Sequence, residues 1–367
     1  MQLSDLPNII FSPSADDIVI PAGGDVVVAT TIADASGTVI FDNSSTYSPS
    51  ADGTVHLAEL SELVNAAVLT TFSPNGMLIA GVRSASCSLK VSVTGGSTLQ
   101  TRALYMWRNL TEVKPMFATQ VRQRRVVEGQ PMPVSILTAG QSGLKLVVGA
   151  AYRLADGGGL AWRETAVEPD CSSDYFTLTA TTSSIRAITT APVGSTLLYY
   201  VLTLFRGDAQ ADCIRFDIDR SPQPSSLTHF VYLNLFGVPD CLSFRGKSTE
   251  EQELDSDFGY AGREYIRLDA QLTESHKANS GWLRPGERHA VYDLMSSPYA
   301  FVCDDGTLRR ITVTEVDSSV SRPTSEPDSV LFTWQFADSR LMRQPFVTPD
   351  TGQAAVFAKP PFDKSFS

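Results

Sequence analysis

A chain of 367 residues is longer than one ordinary hydrophobic core serves, so two or three domains are expected. Its 43% apolar content excludes wholesale disorder, and a net charge of −11 repels a phosphate backbone and argues against nucleic acid as a partner. Cys87, Cys171, Cys213, Cys241 and Cys303 are odd in number, widely spaced and without a CxxC, which predicts mostly buried free thiols and neither a disulfide framework nor a zinc site.

The stretch Met1-Gln2-Leu3-Ser4-Asp5-Leu6 has neither the basic nor the apolar region of a signal peptide, and no apolar run reaches the length of a membrane span. Synthesis in a cytoplasm is expected. Residues 1–95 read as a β domain. The runs Asp16–Ile20 and Asp25–Ile32 flank Pro21-Ala22-Gly23-Gly24, and the second turns back through Asp34-Ala35-Ser36-Gly37. One helix is expected from Leu57 to about Val68, with Leu57, Leu60, Val64 and Val68 on one face.

Residues 96–222 read as a second β domain, with a hairpin through Asp156-Gly157-Gly158-Gly159 and a linker at Ser221-Pro222-Gln223-Pro224-Ser225-Ser226. Residues 223–343 carry aromatic and β-branched alternation up to the turn Leu235-Phe236-Gly237-Val238-Pro239. An acidic linker follows, then a strand around Tyr265–Leu268 and a short helix opened by Pro285 and stopped at Ser296-Ser297-Pro298. The alternating run Leu331–Phe336 closes this unit. Residues 344–367, rich in Pro and Phe, form an extended arm that builds no core of its own. The expected fold is mainly β: two consecutive immunoglobulin-like β-sandwich domains, then a β-rich α+β domain with one short helix.

Few residues suggest chemistry. None of His56, His229, His276 and His289 has HxH or HExxH spacing. His289 and Asp293 stand at i, i+4 but read as a solvated or capping pair. Asp255-Ser256-Asp257-Phe258-Gly259 resembles the start of a calcium loop, yet Ile266 stands where the twelfth-position acid belongs, so it reads as a surface turn. Trp107, Trp162, Trp282 and Trp334 are spread along the chain as core anchors would be. The one basic cluster, Arg122-Gln123-Arg124-Arg125, reads either as a strand edge whose charge blocks unwanted pairing or as a contact for a phosphate or an acidic partner. No catalytic, cofactor or metal constellation emerges. The candidate interaction residues are Arg122, Arg124 and Arg125, with Pro345, Phe346, Pro360 and Phe362 of the arm.

Tyr232-Leu233-Asn234-Leu235-Phe236-Gly237-Val238-Pro239, Phe244-Arg245-Gly246, Gly262-Arg263-Glu264-Tyr265 and Asp293-Leu294-Met295-Ser296-Ser297-Pro298-Tyr299 form one set of motifs. Tyr47-Ser48-Pro49 and Asp52-Gly53-Thr54-Val55, ahead of the Leu/Glu helix, form a second. In these the chain resembles tail-associated structural proteins of bacteriophages and prophages of gut bacteria. The resemblance implies a virion component of a tail tip, baseplate or collar, made in the host cytoplasm. It implies a homo-oligomeric ring in contact with other virion proteins, and no catalytic residues. A carbohydrate- or receptor-binding adhesin that meets a host-surface glycan uses the same scaffold, and a glycan hydrolase would need two carboxylates facing each other across a cleft. Exposed aromatics in a groove favour the adhesin, and aromatics buried between chains favour the ring.

Overall fold

The structure is a computed structural model that describes residues 7–74, 76–107, 112–155, 159–221, 227–261, 264–284, 286–304, 307–317 and 329–337. The linker at 222–226 and the arm at 344–367, with Pro345, Phe346, Pro360 and Phe362, lie outside the described residues.

The first region runs β1 (Ile9–Phe11), α1 (Pro13–Asp16), β2 (Val19–Pro21), β3 (Val26–Ala33), β4 (Val39–Tyr47), β5 (Thr54–His56), α2 (Leu60–Thr70), β6 (Gly81–Arg83), β7 (Ser86–Val93) and β8 (Thr98–Leu104). The second runs β9 (Met116–Phe117), β10 (Gln123–Val127), β11 (Pro133–Leu137), β12 (Leu144–Arg153), β13 (Leu160–Val167), β14 (Tyr175–Thr179), α3 (Thr182–Ile188), β15 (Thr196–Arg206) and β16 (Ala209–Asp219). The third runs β17 (Thr228–Leu233), β18 (Pro239–Phe244), β19 (Thr249–Ala261), β20 (Glu264–Asn279), α4 (Glu287–Ser296), β21 (Ala300–Asp304), β22 (Thr307–Asp317) and β23 (Leu331–Phe336). The fold is mainly β.

In the first region a five-stranded sheet, β1-β8-β7-β3-β4, is covered by α2 where a sandwich would place its second sheet. The helix buries Leu60, Val64, Ala67 and Val68, the stripe its 3.6-residue period predicts. Asp16 caps it, its Oδ1 accepting from the Ser61 N–H at 2.9 Å. The second region does have facing sheets: β10-β16-β15-β12-β13 packs on β6-β14-β11-β9 around Phe117, Ile136, Leu146, Tyr200, Leu202 and Phe216. The third is a seven-stranded sheet, β18-β17-β21-β22-β23-β20-β19, with α4 on one face.

The pairings cross the boundary expected at residue 95. Strand β8 belongs to the first sheet through β7, whereas β6 leaves the first region to pair with β14. The cores interlock as well. Along β17, Phe230 and Tyr232 point to the core under α4, while Val231 and Leu233 point to the core of the second region. Leu235, Phe236 and Val238 join the core of the first. The turn there is fastened by Asn234, whose Oδ1 accepts from the Phe236 N–H at 2.9 Å and whose Nδ2 donates to the Ala118 carbonyl at 2.7 Å. Gly237 closes it at φ +69, with the Tyr105 ring so near that a Cβ would sit 2.8 Å from Cδ1. Only glycine meets both demands.

The segment expected to be an acidic linker is strand β19, and Asp255–Gly259 lies inside it, so the surface turn expected there is absent. β19 and β20 form a long antiparallel ribbon joined to the rest of the sheet through β23 over His276–Asn279 alone. From Ser275 back to Glu264 the ribbon has no further strand partner among the described residues, a reach of about 40 Å at roughly 3.4 Å per residue. A two-stranded ribbon standing clear of the sheet layers needs no apolar alternation, so its sequence reads as a linker. No helix of the described residues is long and apolar enough to cross a membrane.

Candidate functional site

The basic cluster Arg122–Arg125 reads from the sequence as a charged strand edge or as a contact for a partner, and β10 is indeed an edge strand of its sheet. The structure spends the cluster inside the chain. Alternation along β10 sends Arg124 inward, where it is 4% exposed. Its guanidinium forks onto Asp240 of β18, with Nη1 donating to Oδ1 at 2.5 Å and Nη2 to Oδ2 at 2.9 Å. Asp240 Oδ1 also accepts from the Cys241 N–H at 2.7 Å. Burial alone would lower the Arg124 pKa, but the Asp240 carboxylate outweighs it and holds the guanidinium charged.

Arg125, on the outer side, turns to Glu287 at the start of α4: its backbone N–H donates to Oε1 at 3.0 Å and its Nη2 to Oε2 at 3.0 Å. It also donates to the Trp282 carbonyl. Arg122 Nη2 lies 3.0 Å from Asp212 Oδ2. Around them Asp217 accepts from Gln123 Nε2 (2.8 Å), Arg215 Nε (2.8 Å) and Arg284 Nη1 (2.6 Å), and Asp219 meets Arg245. Partial burial works to raise both carboxyls. The donors from Gln123, Arg284 and Arg215 at Asp217, and from the Ser221 backbone with the Arg245 charge at Asp219, overcome it and hold both below the ordinary range. Arg124 with Asp240, Arg125 with Glu287, Asp217 with Arg284 and Asp219 with Arg245 bolt the second region to the third, while Arg122 pairs within the second. The signal for that use was the matching acid on β16 and β18, which no local pattern connects to β10.

Two clusters have the look of chemistry. Asp174, 2% exposed, accepts from Ser84 Oγ at 2.9 Å and Ser86 Oγ at 2.6 Å, with Arg102 Nε 3.1 Å from its other oxygen. The cleft there is lined by no described histidine or lysine, and the bonds from Ser84, Ser86 and Arg102 to Asp174 latch β7 and β8 to the loop before β14. Glu250, Glu274 and His276 bring ligand atoms within 4.8 Å of one another across the base of the ribbon. His276 is stacked on Trp334 with ring centroids 4.1 Å apart, and charged neighbours on an exposed strand adopt such spacing without a metal. His289 and Asp293 sit on α4, the former exposed.

The tryptophans depart from expectation. Trp334 is a core anchor at 5% exposure, but Trp107, Trp162 and Trp282 are 63%, 47% and 72% exposed. Trp162 lies on the outer face of β10-β16-β15-β12-β13. Ala151 faces it on β12 and Tyr199 faces Ala151 on β15, with the Trp162 and Tyr199 rings 6.2 Å apart. Arg215 of β16 caps Tyr199 at 4.1 Å. A groove of about 420 Å³ opens beside Trp162. The flanking Arg163 and Glu164 of an edge strand were the sequence signal that Trp162 faces water. No protein-family model and no curated protein sequence matches the chain.

Proposed function

We propose that the chain is a structural subunit of a multi-chain particle, a bacteriophage virion component of the tail-tip, baseplate or collar kind, built into a ring and in contact with neighbouring virion proteins. The observation that carries the reading is the β19–β20 ribbon. Two strands without a third are marginal in water, and among the described residues β19 has an open edge along its 13 residues. Such an edge is a template for β-augmentation by another chain. The ribbon holds eight acidic and three basic residues between Thr249 and Asn279, nearly half of the chain's net −11. Like charge keeps ribbons from pairing with each other and reserves the edge for a complementary surface. The bolted body of three regions supplies the rigid base from which such an arm works.

The experiment replaces residues 253–273 by Asn-Gly, which closes the hairpin between Gln252 and Glu274, opposed residues in the register. Light scattering on the purified chain and mass analysis of purified particles are the readouts. The full chain is expected to oligomerise and to be found in particles, and the clipped chain to keep its circular dichroism and lose both. A full chain that stays monomeric at high concentration and is missing from particles refutes the proposal, as does a clipped chain that assembles equally well.

A further inference from the structure

We propose that the outer face of β10-β16-β15-β12-β13 is a carbohydrate-binding surface, with Trp162 as the platform on which a pyranose ring stacks. This is separate from the assembly reading and stands or falls alone.

The platform is built rather than incidental. Gly149 on β12 is the residue over which the indole lies: a Cβ there would come within 2.2 Å of Trp162 Cζ2 and 2.7 Å of Cη2. Any other residue would push the ring off the sheet. The indole N–H donates to Glu164 Oε2 at 2.9 Å, which fixes its rotation about Cβ. One face of the ring therefore rests on backbone, and the other contributes to its 47% exposure. Buried Tyr105 lies on Gly237 in the same way, but Trp162 differs in keeping nearly half of its surface open to solvent.

The chemistry beside the ring selects the ligand. The negative face of an aromatic ring attracts the polarised C–H bonds on one side of a pyranose, and the hydroxyls at its rim need paired donors and acceptors. The groove supplies these as Lys145, Glu164, Thr203, Asp208 and Gln210 around an apolar floor that includes Val147 and Val201. Lys145 and Asp208 pair with no other described residue. The charges are mixed in sign, which suits a neutral, hydroxyl-rich ligand and disfavours a nucleic acid. The volume, about 420 Å³, is that of a small-ligand site and accommodates one or two sugar rings. A protein partner would call for a broader face with charge cleared from its centre. Tyr199, its ring 6.2 Å from the indole and covered by the Arg215 guanidinium, stands beside Trp162 outside the groove lining.

The test titrates the full chain with three neutral probes, maltohexaose, chitohexaose and mannohexaose, up to ~10 mM, following tryptophan fluorescence and calorimetric heat. At least one is expected to bind. Trp162→Ala should weaken it by about tenfold or more, the loss of a stacked ring and its covered area, while Trp162→Phe retains most of the affinity. Gly149→Val should weaken binding as Trp162→Ala does with the circular dichroism unchanged, and Trp282→Ala should leave it alone. Failure of all three probes overturns the proposal, and so does binding that survives Trp162→Ala. If Trp162→Ala instead lowers the chain's mass in light scattering, the face is covered by a second copy and the proposal is likewise overturned.

Discussion

Asp240→Asn keeps the side chain's shape and removes the charge that Arg124 faces. In the native pair two parallel N–H donors meet two carboxylate oxygens at 2.5 and 2.9 Å. An asparagine amide oxygen can still accept from one of them and from the Cys241 N–H. Its NH₂ then points at the second guanidinium nitrogen, donor against donor. The arginine is left charged at 4% exposure with half its partner gone. Breaking a buried pair by removing one member costs about 3–5 kcal/mol, out of a total stability of roughly 5–15 kcal/mol. Because the pair joins β10 to β18, the loss should fall on the junction between the second and third regions. Urea unfolding followed by fluorescence is expected to show the midpoint falling and the transition broadening. Replacing both residues, Arg124→Met with Asp240→Leu, removes the desolvation cost along with the attraction and should recover most of the loss. A single variant that loses less than about 1 kcal/mol, or a double variant no better than the single, refutes the assignment of this pair as the bolt.

The same junction should be acid-sensitive. Asp217 and Asp219 are depressed in the fold, so their stabilisation is complete above the unfolded carboxyl value near ~3.9 and is lost as pH falls through their lower folded values. The urea midpoint should drop below pH ~4, and Asp217→Asn with Asp219→Asn should flatten that drop. His229 is held below its ordinary value by burial, so its contribution is complete above pH ~6.5 and fades on acidification, a shallow slope that His229→Gln should remove. Gly237→Ala must place a Cβ at φ +69 against the Tyr105 ring, and should cost about 2 kcal/mol or more in the same urea assay.

What the sequence discloses is local periodicity, and what it conceals is which elements meet. The stripe Leu60, Val64, Ala67, Val68 gives α2 within three residues at either end, and the alternation Leu331–Phe336 gives β23, because each period is local. The Gly-rich loop between Leu144–Leu154 and Leu160–Thr165 gives the β12–β13 hairpin for the same reason. Helix α3 goes unread, although Thr181 caps it by accepting from the Ser184 N–H at 3.2 Å, because seven residues carry too little periodicity. Pairing of β6 with β14 joins residues more than ninety positions apart, and nothing in Gly81-Val82-Arg83 names Tyr175–Thr177 as its partner. The arginines are half legible: the charged strand edge is visible, while the carboxylates that meet it lie on elements far along the chain. Residue type alone makes Trp162 a core anchor, yet its environment depends on Gly149, thirteen positions away and meaningful only once the hairpin closes.

The turn at Asn234–Pro239 has a consequence for how the chain is made. Its Leu235, Phe236 and Val238 fill the core of the first region, and the Trp107 N–H donates to the Leu235 carbonyl at 3.1 Å. A ribosome delivers the first sheet through Leu104 long before it delivers that plug. At about 5–20 residues per second the gap is roughly 7–27 s, during which the first region exposes the surface that Phe11 and Tyr105 later share with Phe236. The N-terminal third therefore waits, open and adhesive, for a segment two-thirds along the chain. Synthesis is thus a stage at which this apolar surface is uncovered, which it is not in the finished fold.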